Sequence, residues 1–86
     1  MTVADLRAAQ KAVSEGRWRE NSQAASWVGK PIAQALRLDL NNPAHKAKVK
    51  GLLKRWIANG MFVVVEGKDE RHETRSFVEV GQWAND

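Results

Sequence analysis

The chain predicts an α+β fold: three helices, one short strand and a C-terminal β-hairpin. Three observations carry this reading. Apolar residues recur at helical spacing in three segments before Gly60, the period changes to strand-like alternation after it, and capping and stop residues mark the boundaries. Composition agrees with a folded chain, at 43 % apolar and 28 % charged. Leu, Ile, Val and Phe number nineteen of 86 residues, above the roughly 20 % below which a highly charged chain stays disordered. So short a chain suits one domain spanning residues 1–86, with a small core in which the four tryptophans supply much of the buried surface.

The first helix is expected over residues 2–15, with Leu6, Ala9 and Val13 on one face, Thr2 as N-cap with Asp5 three residues on, and Gly16 as stop. Arg17-Trp18-Arg19-Glu20 is too short for a helix and alternates, so a short strand with Trp18 inward is expected. In the second helical segment Pro31 suits a first helical position, since deeper in it would remove a hydrogen bond. This places the firm part of that helix at residues 31–38, with a turn or a helical extension before it. Asn42-Pro43 is a cap followed by proline, and the third helix is expected from 43 to 59 with Gly60 as stop. Residues 61–66 and 74–80 then read as the hairpin, joined by a charged loop. The tail, residues 81–86, carries Trp83 in polar surroundings.

Charge is uneven along this order. Between Ala44 and Gly60 lie Lys46, Lys48, Lys50, Lys54 and Arg55 and no acid, although the whole chain has 14 basic and 10 acidic residues. On a helical wheel Val49, Leu52, Leu53, Trp56 and Ile57 form one apolar arc, with Lys48, Lys50, Lys54 and Arg55 outside it. Ala44, Ala47, Gly51 and Ala58 make a smooth strip between the positive side chains. Helix, short strand, helix, short turn, basic helix and hairpin is the order of a winged helix-turn-helix, whose third helix meets DNA and whose hairpin is the wing.

Dispersed residues also resemble a known family. Trp27-Val28-Gly29, Ala35-Leu36 with Leu38-Asp39-Leu40, Lys48-Val49-Lys50, Leu52-Leu53, Trp56-Ile57 with Asn59-Gly60, and Val63-Val64-Val65-Glu66 together look like the C-terminal region of RecA-like AAA-family ATPases of phages, prophages and plasmids, the RepA-like helicase group. The resemblance spans about residues 16–83. It implies a C-terminal winged-helix domain of a larger protein, accessory to a replication or recombination ATPase. Pro31 inside the second helix departs from the pattern.

Several chemistries lack their residues. An ATPase needs a glycine-rich loop ending in Gly-Lys-Ser/Thr, and Gly29-Lys30-Pro31 and Gly67-Lys68 have neither the upstream glycine nor the hydroxyl. With no cysteine and only His45 and His72, disulfides, thiol nucleophiles and zinc sites are not expected. No serine has a nearby histidine and acid to activate it. The chain is therefore expected to be no enzyme and to take no cofactor. No run approaches eighteen apolar residues and the first twenty lack a signal-peptide layout, so a cytoplasmic location without membrane contact is expected.

The expected partner is double-stranded DNA. Lysines suit phosphates as mobile point charges, and phosphates supply most affinity. Lys48, Lys50, Lys54 and Arg55 are the first candidates. Lys46, His45 and Asn41 lie near the helix start, with Asn42 a cap and His45 close to the apolar arc. Lys68, Arg71 and Arg75 belong to the wing, where Asp69, Glu70 and Glu73 offset them. The helix face offers few side chains for bidentate base reading, so phosphate-dominated binding with weak sequence preference is expected. Mid-helix Gly51 costs about 1 kcal/mol relative to alanine, which close approach to DNA or close packing against protein would offset. The alternative is an interaction or oligomerisation module, in which Gly51, the alanine strip and Trp83 meet a parent ATPase or a second copy.

Overall fold

Thr2 opens the first helix as the spacing predicts. In the computed structural model, which describes residues 2–84, its hydroxyl accepts the Asp5 N–H while the Asp5 carboxylate accepts the Thr2 N–H, closing a capping box. Met1, Asn85 and Asp86 lie outside the described residues, so the tail is followed only to Ala84. Helix α1 is Val3–Ser14, β1 is Trp18–Arg19, α2 is Gly29–Leu36, α3 is Pro43–Ala58, β2 is Phe62–Lys68 and β3 is Thr74–Val80.

Helix α2 takes the helical extension before Pro31 and stops two residues short of Leu38. It begins at Gly29, so Pro31 stands in its third position. A first-turn N–H has no acceptor within the helix, so proline removes no bond there. What starts the helix is tertiary: Arg19 N–H donates to Ser26 O at 2.8 Å and Val28 N–H donates to Arg19 O at 2.9 Å. A Cβ on Gly29 would collide with the Trp27 ring, so glycine lets that ring fold under the helix start. The helix stops at Leu36 because Arg37 turns left-handed, at φ 57° and ψ 42°. Leu38 N–H then caps Ala33 O at 2.8 Å.

Helix α3 follows the expected boundaries. Asn42 Oδ1 accepts the Ala44 N–H at 2.9 Å, Pro43 is the first helical residue, and Gly60 at φ 78° ends the run. The three strands form one antiparallel sheet in the order β1-β3-β2, so β3 is central. Trp18 pairs with Val78, and Val64 faces Val78 from the other side, which puts all three on one face of the sheet.

That face meets the helices. Ala9, Val13, Trp27, Val28, Ile32, Val49, Leu53, Trp56, Phe62 and Val78 form one continuous buried cluster. Trp18, Leu52, Ile57 and Val80 pack partly buried against it. The rings of Trp56 and Phe62 lie 5.9 Å apart, joining α3 to β2. Gln10, on α1, is fully buried and holds three backbone groups. Its Nε2 donates to Met61 O at 3.0 Å and Gln82 O at 2.8 Å, and its Oε1 accepts Ala84 N–H at 2.9 Å. A buried side chain satisfied this fully fixes the path of the tail, because any apolar replacement strands those groups at about 1–3 kcal/mol each.

Candidate functional site

The outward half of α3 is the most strongly charged surface the sequence picks out, and its geometry follows from the helix period. About 100° per residue separates two basic rows, Lys50 with Lys54 and Lys48 with Arg55, on either side of Ala44, Ala47, Gly51 and Ala58. All eight residues are exposed. Val49, Leu53 and Trp56 on the opposite side are buried and hold the helix in place. A Cβ on Gly51 would meet nothing within 4 Å, so close packing among the described residues does not explain that glycine.

Among the described residues the four flanking cations carry no ion-pair partner. In the hairpin, by contrast, Arg75 meets Asp69 and Glu73. Glu20 lines a shallow groove beside Lys50 and Lys54 without pairing with either. As far as Ala84 the tail does not cover them, because Gln10 holds Gln82 and Ala84 against α1. Trp83 beside it is 47 % exposed and lies along Ala4, Ala8 and Lys11 of α1.

The remaining helix candidates are more engaged. Lys46 is half-buried, with Nζ 6.0 Å from the centre of the Trp27 ring, so it covers the core edge as much as it faces solvent. His45 is half-buried and its Nδ1 accepts the Asp39 N–H at 3.0 Å, bracing the α2–α3 connection. Asn41 is exposed, its N–H donating to Asp39 Oδ1 at 2.9 Å.

The hairpin candidates are tied into their own loop. Asp69 Oδ1 accepts the Arg71 N–H at 2.8 Å and the Glu73 N–H at 2.9 Å, and Arg75 Nε donates to Asp69 Oδ2 at 3.3 Å. Arg75 also donates to Glu73 through Nη2. The Glu73 N–H bond, more than any other contact, holds the Asp69 carboxyl below its ordinary value, with the Arg71 N–H and the Arg75 guanidinium adding to it and partial burial opposing. Lys68 Nζ donates to Thr74 Oγ1 at 2.6 Å. Arg71 alone of these three keeps an exposed side chain with no internal acceptor.

Sequence reasoning did not find the Gln10 clamp or the cluster of arginines on the outer sheet face, because neither is set by local spacing. Among the described residues no group of three or more His, Asp or Glu side chains is placed to hold a metal ion, and no helix is long and apolar enough to cross a membrane. Comparisons of the chain with protein-family models, with curated proteins and with solved structures found no match.

Proposed function

We propose that this chain is a winged helix-turn-helix module that binds duplex DNA by its phosphates, through α3, with weak sequence preference. One observation carries the reading: Lys48, Lys50, Lys54 and Arg55 stand exposed and unpaired around an open strip centred on Gly51. Small residues let a helix sink toward a groove, and flanking ammonium and guanidinium groups then reach the phosphates on both sides. The element order and the β1-β3-β2 sheet support the winged-helix assignment. Arg71, exposed in the hairpin loop, adds one further charge. The resemblance to RepA-like helicases extends the proposal to an accessory domain beside a replication or recombination ATPase.

Salt dependence tests the phosphate mechanism. Neutralising four to five phosphates gives a slope of log affinity against log salt near roughly −4, with unrelated duplexes bound about equally. A flat slope, or strong discrimination between duplexes, contradicts it.

A second reading has its own observation. Trp83 is 47 % exposed, and Val63 and Val64 on the edge strand β2 are each 39 % exposed, which suits a protein partner such as a parent ATPase or a second copy. Trp83→Ala separates the two. The ring is 47 % exposed, so its loss leaves duplex affinity unchanged under the first reading and changes the assembly state under the second.

A further inference from the structure

Away from α3, the outer face of the sheet carries a cavity of about 450 Å³ whose lining includes Arg17, Arg19, Arg71, Arg75, Phe77 and Ser26. That volume falls in the range of small-molecule sites. The register explains the assembly. Arg19 pairs with Phe77, and Arg75 lies two residues before Phe77 on β3, so all three share the face turned from the core. Arg17 reaches the same face, its guanidinium 3.9 Å over the Phe77 ring. Arg71 joins from the hairpin loop, which the Asp69 carboxylate braces.

The cavity gathers four arginines against two carboxylates, Asp69 and Glu70. Asp69 and Glu73 already occupy Arg75, which leaves Arg17, Arg19 and Arg71 without an ion-pair partner among the described residues. The Arg19 Nε is sealed from solvent and has no hydrogen-bond acceptor. Guanidinium forks match phosphate oxygens in geometry and charge.

We propose that this cavity is a phosphomonoester site, taking the dianionic phosphate of a mononucleotide or of a strand's 5′ end. The concave wall made by the 69–71 loop favours a terminal phosphate, which can descend between the arginines, over the bridging diester of a duplex. Arg17, Arg19 and Arg71 donate to the phosphate oxygens, while Arg75 stays fixed as the wall. The site uses no residue of α3 and shares only Arg71 with the proposed duplex surface, so loss of the α3 lysines tests duplex binding alone.

The test follows the arginine Hε resonances of the full chain during separate additions of inorganic phosphate, adenosine 5′-monophosphate and adenosine. The first two are expected to move Arg19 and Arg71 saturably, with Kd below about 1 mM, and adenosine is expected to move neither. Arg71→Gln, at an exposed loop position, and Arg19→Gln each weaken binding at least about tenfold, while the Lys50→Gln/Lys54→Gln pair leaves it unchanged. Single strands identify the source: a 5′-phosphorylated strand that displaces the mononucleotide marks a strand-end site, and one that fails to displace it marks a free-nucleotide site. Equal responses to adenosine and its monophosphate, displacement by a 5′-hydroxyl strand, or undiminished binding by both arginine variants would overturn the proposal.

Discussion

Helix α3 and the β2–β3 hairpin both present several basic side chains, yet they use them differently. In the hairpin, Arg75 is spent on Asp69 and Glu73 and Lys68 on Thr74, so its charge serves to close its own loop. On α3 the cations outside the apolar arc have no ion-pair partner among the described residues, and the residues between them are alanine and glycine. Counting charges along the chain already sets them apart, with no acid between residues 44 and 60 and Asp69, Glu70 and Glu73 beside the hairpin cations. Pairing widens the difference, because a cation already matched to a carboxylate releases few counterions when a phosphate approaches.

The comparison breaks most readily at the lysines. Lys50→Glu with Lys54→Glu is expected to lower duplex affinity about 100-fold at low salt and to reduce the salt slope by about 2. Thermal stability should move by less than about 0.5 kcal/mol, since both side chains are exposed and unpaired. The matching hairpin change, Lys68→Glu with Arg75→Glu, should cost affinity far less than this. Retention assays on the two double variants check the contrast, and equal losses would remove the distinction drawn here.

A smaller effect is expected at Gly51. Open space around it means Gly51→Ala should raise stability by about 1 kcal/mol, measured by denaturant unfolding. A loss of stability would mean that packing explains the glycine after all.

Acid sharpens the hairpin side of the comparison with the smallest effect. Because the Asp69 carboxyl is lowered in the fold, its contribution to loop order is complete above the unfolded value of 3.8 and fades only as pH falls through the lower folded value. Amide shifts of Arg71 and Glu73 should therefore hold at pH 3.8 and change below it. A transition at or above 3.8 would show that these N–H bonds do not stabilise the charged carboxylate.

Much of this architecture can be read locally. The Thr2 and Asp5 box, the Asn42-Pro43 start and the Gly60 stop are short-range chemistry, and the structure has them where the spacing predicts. The wheel of α3 likewise gives the exposed and buried sides correctly, with Lys46 and His45 nearer the core edge. What stays illegible depends on distant partners. The start of α2 is fixed by Arg19 pairing across a loop to Ser26 and Val28, so Pro31 sits two residues deeper than its own preference suggests. Gln10 reads as an ordinary polar helix residue until Met61, Gln82 and Ala84 are brought to it. The Arg17–Phe77 contact requires the sheet register, which no local pattern reveals.

Amide shift mapping with a duplex of random sequence tests the central claim most directly. The largest shifts are expected at Ala47, Lys48, Gly51, Lys54 and Arg55, with minor ones at Arg71 and none at Trp83 or the β2 edge. Shifts centred on Trp83, Val63 and Val64 with α3 silent, or no shifts at low salt, would contradict it.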